Sequence, residues 1–216
     1  PKLRQKVVMQ WLKWYLCGMI LLILQLMLQP SQAATLGEIN AAIAKYNEYG
    51  VYKLKPLSQQ VFNNLNNGKT HQLLEGPEGQ AKTAIGCMLT DADLETLWIA
   101  TQDTHFILET RTRSTLLEDR GNGDLLWYSH VDLPWPFKDR HWVNDTRNNQ
   151  KLARATSNDI WETHWRLESN AIDTARAVIA NGALKGLSVQ QFDQSMMVDR
   201  SIGGWVGIRL GDQTLY

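Results

Sequence analysis

The chain has 216 residues, 44% hydrophobic and 20% charged, with 22 basic and 22 acidic side chains. That composition belongs to a globular protein able to bury a core. It argues against a nucleic-acid partner: four basic residues (Lys2, Arg4, Lys6, Lys13) lie within residues 1–33, leaving 18 basic against 22 acidic side chains in the rest, whereas a phosphate backbone calls for clustered positive charge.

Residues 1–33 read as a signal peptide. The basic stretch leads into a largely apolar run from Trp14 to Leu28, Pro30 breaks the helix, and Ser31-Gln-Ala33 supplies the small residues a signal peptidase reads. The run is shorter than the ~20 residues that span a bilayer, although an uncleaved anchor over residues 7–28 is the alternative. Export to a bacterial periplasm is the expected localisation. Cys87 is then the one cysteine of the mature chain, which excludes an internal disulfide and marks it as a small buried apolar residue in a strand.

Residues 34–68 form a helical leader. Leu36, Ile39, Ala42, Ile43 and Tyr46 recur at helical spacing with Gly50 as the stop, and a second short helix runs from Leu57 to Leu65. From residue 69 to 216 strands dominate. Thr70 to Glu75 and Gln80 to Leu89 make a hairpin about Gly76-Pro-Glu-Gly79. A helix capped by Thr90 runs to Gln102, with Leu94, Leu97 and Trp98 on one face. Strands are expected at Thr104–Thr110, Thr115–Glu118, Leu125–Val131, His141–Asn148, Lys151–Thr156 and Ile160–Leu167. Residues 169–190 interrupt the pattern with helical composition from Ala171 to Ala183, as a surface excursion or as a lid over a cavity mouth.

Between two of these strands lies Asp132-Leu-Pro-Trp-Pro-Phe-Lys-Asp-Arg-His-Trp-Val143. Its two prolines predict an extended, restricted Leu133–Phe137. The order of aromatic strand, Pro-x-Pro loop, Asp139-Arg140 pair and further strand resembles the small bacterial members of the START lipid-transfer family. Gly204-Trp-Val-Gly-Ile-Arg-Leu with Gly-Asp-Gln-Thr-Leu-Tyr216 resembles that family's late hairpin. The resemblance covers roughly residues 70–216. It implies an α+β helix-grip fold, a curved antiparallel sheet around a hydrophobic cavity, closed by a C-terminal helix that nothing before Tyr216 supplies. On that reading the domain at residues 69–216 is truncated.

Strand alternation places Trp161, Thr163, Trp165 and Leu167 on one face, opposite Glu162, His164 and Arg166. Trp127, Ser129 and Val131 oppose Tyr128 and His130, and Trp142 lies on the side of Arg140. Periodicity alone makes these tryptophans core; with the resemblance, Trp127, Trp135, Arg140, Trp142, Trp161 and Trp165 become the candidate ligand-binding residues. Arg140 either pairs with Asp139 or offers its donors to a ligand head group. The pairs Asp103/His105 and His130/Asp132 share strand faces, but no third ligand follows from spacing, so no metal and no cofactor is expected. No nucleophile elbow or phosphate loop appears, and no catalytic residue is assigned. The expected function is a monomeric, non-enzymatic carrier that binds a lipid or other hydrophobic small molecule, with transient membrane contact. The alternative is a helix-grip enzyme of the polyketide cyclase type.

Overall fold

A computed structural model of the chain describes residues 33–76, 83–102 and 112–216. The chain divides into residues 1–33 and residues 34–216, and the architecture below is that of the second unit. The signal peptide, the turn at 77–79 with the start of its second strand, the strand at Thr104–Thr110 and the Asp103/His105 pair lie outside the described residues.

Helix α1 (Leu36–Tyr49) begins in a capping box, in which Thr35 Oγ1 accepts from Glu38 N–H and Glu38 Oε2 accepts from Thr35 N–H at 2.7 Å. Ile39, Ile43 and Tyr46 fall on one buried stripe. The following segment is held along the helix by two amide side chains. Asn40 exchanges a pair of hydrogen bonds with the backbone of Leu57, and Asn47 does the same with Leu54. Helix α2 (Gln59–Asn66) is capped by Ser58. A separate hairpin follows, β1 (His71–Glu75) with β2 (Thr83–Cys87). Cys87 is half-buried there against the core, and burial raises its thiol pKa.

Among the described residues the main sheet has eight strands. Its path is β3 (Leu89–Thr90), β10 (Gln213–Leu215), β9 (Ile202–Leu210), β7 (Ile160–Leu167), β6 (Arg140–Asn148), β5 (Leu125–Val131) and β4 (Thr112–Asp119). These neighbours are all antiparallel, and the short β8 (Met196–Met197) adds to β6 in parallel. The protein is therefore α+β with a large antiparallel sheet. Two differences from the expected elements stand out. The segment expected as a strand at Lys151–Thr156 is helix α4 (Gln150–Ala155), because Asn149 Oδ1 caps Leu152 N–H at 3.0 Å and Leu152 is fully buried. Helix α3 (Leu94–Gln102) starts at an Asp93 cap that accepts from Thr96 N–H at 2.8 Å, while Thr90 is taken into β3.

The sheet's pleat sorts side chains onto two faces. One face is covered by helices. Ile160, Ile208, Leu210 and Leu215 pack against Ile39, Ile43, Tyr46, Leu65 and Leu152. Farther along, Leu126, Tyr128 and Val143 pack against Ala175 and Ile179 of α5 (Ile172–Ala180), Leu187, and Phe192 of α6 (Val189–Gln194). Residues 169–190, expected as a surface excursion or as a lid over a cavity mouth, pack through α5 and Leu187 against Leu126, Tyr128 and Val143. A bidentate Arg176–Asp193 pair at 2.8 Å joins α5 to α6.

Glu162 sits on the helix-covered face, 1% exposed. It accepts from Tyr46 O–H at 2.6 Å, from Val51 N–H and from Asn149 Nδ2 at 2.6 Å. Burial, with this carboxylate as the second cause, raises the Tyr46 phenol well above its ordinary pKa. Tyr46→Phe keeps the ring in the core but leaves a buried carboxylate short of one donor. The expected loss is about 1–3 kcal/mol in denaturant or thermal unfolding, and Glu162→Ala, which strands three donors at once, should cost more.

Candidate functional site

The other face of the sheet carries the aromatic residues. Register aligns Ser114, Ser129 and Trp142 across β4, β5 and β6, then Leu116, Trp127, Asn144 and Leu167 across β4 to β7. Thr146, Trp165 and Gly203 form the next row, followed by Asn148, Thr163 and Trp205. Trp161 lies opposite Gly207. Trp127, Trp142, Trp161 and Trp165, which alternation sorted only within each strand, lie on one face of the sheet, and Arg140 joins it at the end of β6, opposite Val131.

Glycine makes room for the rings. A Cβ on Gly203 would lie 2.3 Å from the Trp165 ring, so this indole lies flat over the β9 backbone. A Cβ on Gly207 would lie 2.4 Å from Leu94 Cδ1, which lets α3 settle onto this face. Helix α3 brings Trp98 edge-on to Trp161, with ring centroids 5.2 Å apart. Trp165 lies 5.9 Å from Trp205, which stacks on Tyr216 at 5.7 Å. Burial pushes the Tyr216 phenol up to about 12, against a hydrogen bond with Thr101. Trp205 stays 50% exposed.

Polar atoms punctuate this surface. Trp161 Nε1, Asn144 Oδ1 and Asn148 Oδ1 are shielded from solvent and lack a hydrogen-bond partner, a costly state unless water or a ligand meets them. At one end of the face a cavity of about 150 Å³ is lined by Trp98, Trp161, Asn148 and Asn149, among others. It is smaller than the roughly 300 Å³ at which pockets for drug-sized ligands begin. Among the described residues the tryptophans line a face rather than an enclosed tunnel.

Two of the expected ligand residues need separate placement. Trp135 is not on this face. It stands at the tip of the loop between β5 and β6, 93% exposed, next to Phe137 at 64%. The loop is also not extended throughout, since Phe137 N–H donates to Pro134 O at 3.0 Å and closes a tight turn about the cis Trp135–Pro136 bond. Arg140 is half-buried and donates to Lys138 O at 3.2 Å. Of its two expected roles the pair with Asp139 is not formed, and Asp139 Oδ1 accepts from Leu133 N–H at 2.8 Å. Trp98, Asn144, Asn148, Trp205 and Tyr216 are the functional candidates that sequence reasoning missed. For Trp205 the signal was present, as Gly203-x-Trp205-x-Gly207 alternates along one strand. For Trp98 it was not, since the partner of a helix face is a tertiary fact.

Scans against protein-family models, against curated proteins and against solved structures each return no match, so the geometry above carries the functional argument alone.

Proposed function

We propose that the protein is a non-enzymatic carrier whose tryptophan-lined sheet face binds a lipid or another hydrophobic small molecule, in the manner of a START-like helix-grip domain. The observation that carries this reading is the segregation of the sheet's faces. Aliphatic side chains pack under helices on one face, whereas Trp127, Trp142, Trp161, Trp165 and Trp205 gather on the other. Large amphipathic rings with unpartnered polar atoms among them suit a ligand that is mostly apolar and carries a few polar groups. Along its described strands this face offers amides, hydroxyls and Arg140, not a histidine set against a carboxylate. That balance favours binding over the cyclase chemistry a general acid and base would serve.

The loop beyond this face supports transient membrane contact. Trp135 and Phe137 project from a turn built on two prolines, with Lys138 exposed beside them and Met196 exposed nearby on β8. Aromatic rings at the tip and a lysine behind them match the apolar-to-headgroup boundary of a bilayer. We further propose export with residues 1–33 removed. Among the described residues no helix is long and apolar enough to cross a membrane.

Mass spectrometry of the purified protein should find a co-purified hydrophobic molecule. Trp161→Ala and Trp165→Ala should each reduce its uptake while costing less than the ~3–5 kcal/mol of a fully buried ring. Arg140→Met should weaken head-group-bearing ligands by roughly ten- to a hundredfold and leave a purely apolar one unaffected. Unchanged uptake in both tryptophan variants would assign the rings to packing alone.

Trp135→Ala and Phe137→Ala should each lower affinity for lipid vesicles by about tenfold in a sedimentation assay, the equivalent of half-inserting one ring. Ligand capacity in solution should be unaltered. Sequencing of exported protein should give Ala34 as the first residue. An intact N-terminus on membrane-bound protein would establish the anchor.

A further inference from the structure

The base of the loop between β5 and β6 brings together three side chains that sequence spacing could not unite. His130 and Asp132 leave β5 on one side of the loop, and Asp139 returns on the other just before β6. One nitrogen of His130 and one oxygen of each carboxylate lie within 4.8 Å of one another. His130 is fully buried.

Each of the three uses one polar atom for a neighbour and leaves the other free. Asp139 Oδ1 accepts from Leu133 N–H at 2.8 Å, and Asp132 Oδ2 accepts from Arg113, which also donates to Gly186 O. His130 Nε2 lies 2.9 Å from Ser195 Oγ. Ser195 has a single hydroxyl proton and gives it to Gln191 O at 2.7 Å, so toward the imidazole it accepts. With Ser195 accepting, the tautomer protonated on Nε2 leaves Nδ1 as a bare lone pair. That lone pair has no hydrogen-bond partner, and the nearest charged atom is Asp132 Oδ1 at 3.4 Å. Lone pair facing carboxylate is repulsive unless something positive lies between them.

Two species meet that need, a second proton on the ring or a metal cation. The spacing suits a cation: two ligands about 2.1 Å from a tetrahedral zinc ion lie about 3.4 Å apart. Asp139 Oδ2 lies 3.9 Å from Nε2 and belongs with His130 and Asp132 to a group whose ligand atoms all lie within 4.8 Å of one another. Even with Arg113 counted, the two carboxylates leave the cluster one negative charge in excess. The hydrogen bonds to Ser195, Arg113 and Leu133 N–H are of the kind that orient metal ligands. Mixed imidazole and carboxylate donors suit Zn²⁺, whereas Ca²⁺ takes six to eight oxygens.

We propose that His130, Asp132 and Asp139 form a binding site for a divalent transition-metal ion, Zn²⁺ foremost, which pins the two ends of the loop carrying Trp135 and Phe137. The role is structural. The ion cross-links the exit of β5 to the entry of β6, with Ser195 fastening the end of α6 to the same ring. The site is independent of whatever the tryptophan face binds.

The test uses the intact protein stripped with EDTA and titrated with Zn²⁺ by calorimetry, with thermal unfolding and ¹⁵N NMR of the histidine rings alongside. One Zn²⁺ per chain should bind, raise the melting temperature and shift the Nδ1 resonance of His130. His130→Gln and Asp139→Asn should each weaken binding by about tenfold or more. The proposal is overturned if metal-free protein at neutral pH shows both ring nitrogens of His130 protonated, since the imidazolium then fills the gap. It is equally overturned if Zn²⁺ leaves the His130 signals unmoved, or if both variants bind as tightly as the wild type. Should the variants fail to fold, the ring resonances of the wild type decide the matter.

Discussion

The Glu162 carboxylate is the constraint on which the arrangement of the described domain depends. A carboxylate this deep in a sheet is tolerable only when its lone pairs are met, and each group that meets it belongs to a different element. Tyr46 comes from the last turn of α1, Val51 N–H from the segment after it, and Asn149 from the cap of α4. Asn149 in turn holds Tyr49 O through its amide and Leu152 N–H through its carbonyl. One side chain of β7 thereby sets where the leader helix ends, where the short crossover helix begins, and how both lie on the sheet. Because Glu162 occupies one side of the pleat, its neighbours Trp161 and Thr163 are obliged to occupy the other.

From that parity the division of the molecule follows. The helix-covered side is filled by aliphatic residues in close contact, which leaves little tolerance for a change of volume. The aromatic side is organised differently, with glycine where a ring must lie flat and a single helix contributing Leu94 and Trp98. Indoles meet one another there edge-on or tilted, and three shielded polar atoms go unanswered. On the proposed reading, those atoms and rings are what a bound molecule would meet.

Much of this division was legible in the chain because it rests on a period of two. Trp127, Trp142, Trp161 and Trp165 could be placed on faces from spacing alone, and a one-residue error would have inverted all of them. The hairpins and the leader helices were legible for the same reason, strong periodicity bounded by glycine and capping residues. What escaped was decided elsewhere. Gln150–Ala155 is too short for helical periodicity to separate it from a strand, and the asparagine cap that decides it reads equally well as a turn. The destination of residues 169–190 could not be read, since an amphipathic helix announces that it covers something but not which face. Whether Asp139 pairs with Arg140 stayed open in the sequence, because adjacency does not say where two side chains turn; in the fold Asp139 Oδ1 takes Leu133 N–H instead.

The strand β6 changes partner along its length. Its residues from Asn144 onward pair with β7, but Arg140 and His141 pair with the parallel β8. At that end Glu168 N–H still bonds Val143 O of β6, while Leu167 N–H bonds Ser201 O beside β9. Past that bond β8 takes the place of β7 beside β6, so Trp142 lies beyond the last β7 pairing while Trp127 stays in the row that runs through Asn144 to Leu167. If the tryptophan face binds as proposed, the backbone at this change of partner, and not the indoles alone, would set the shape of what it accepts.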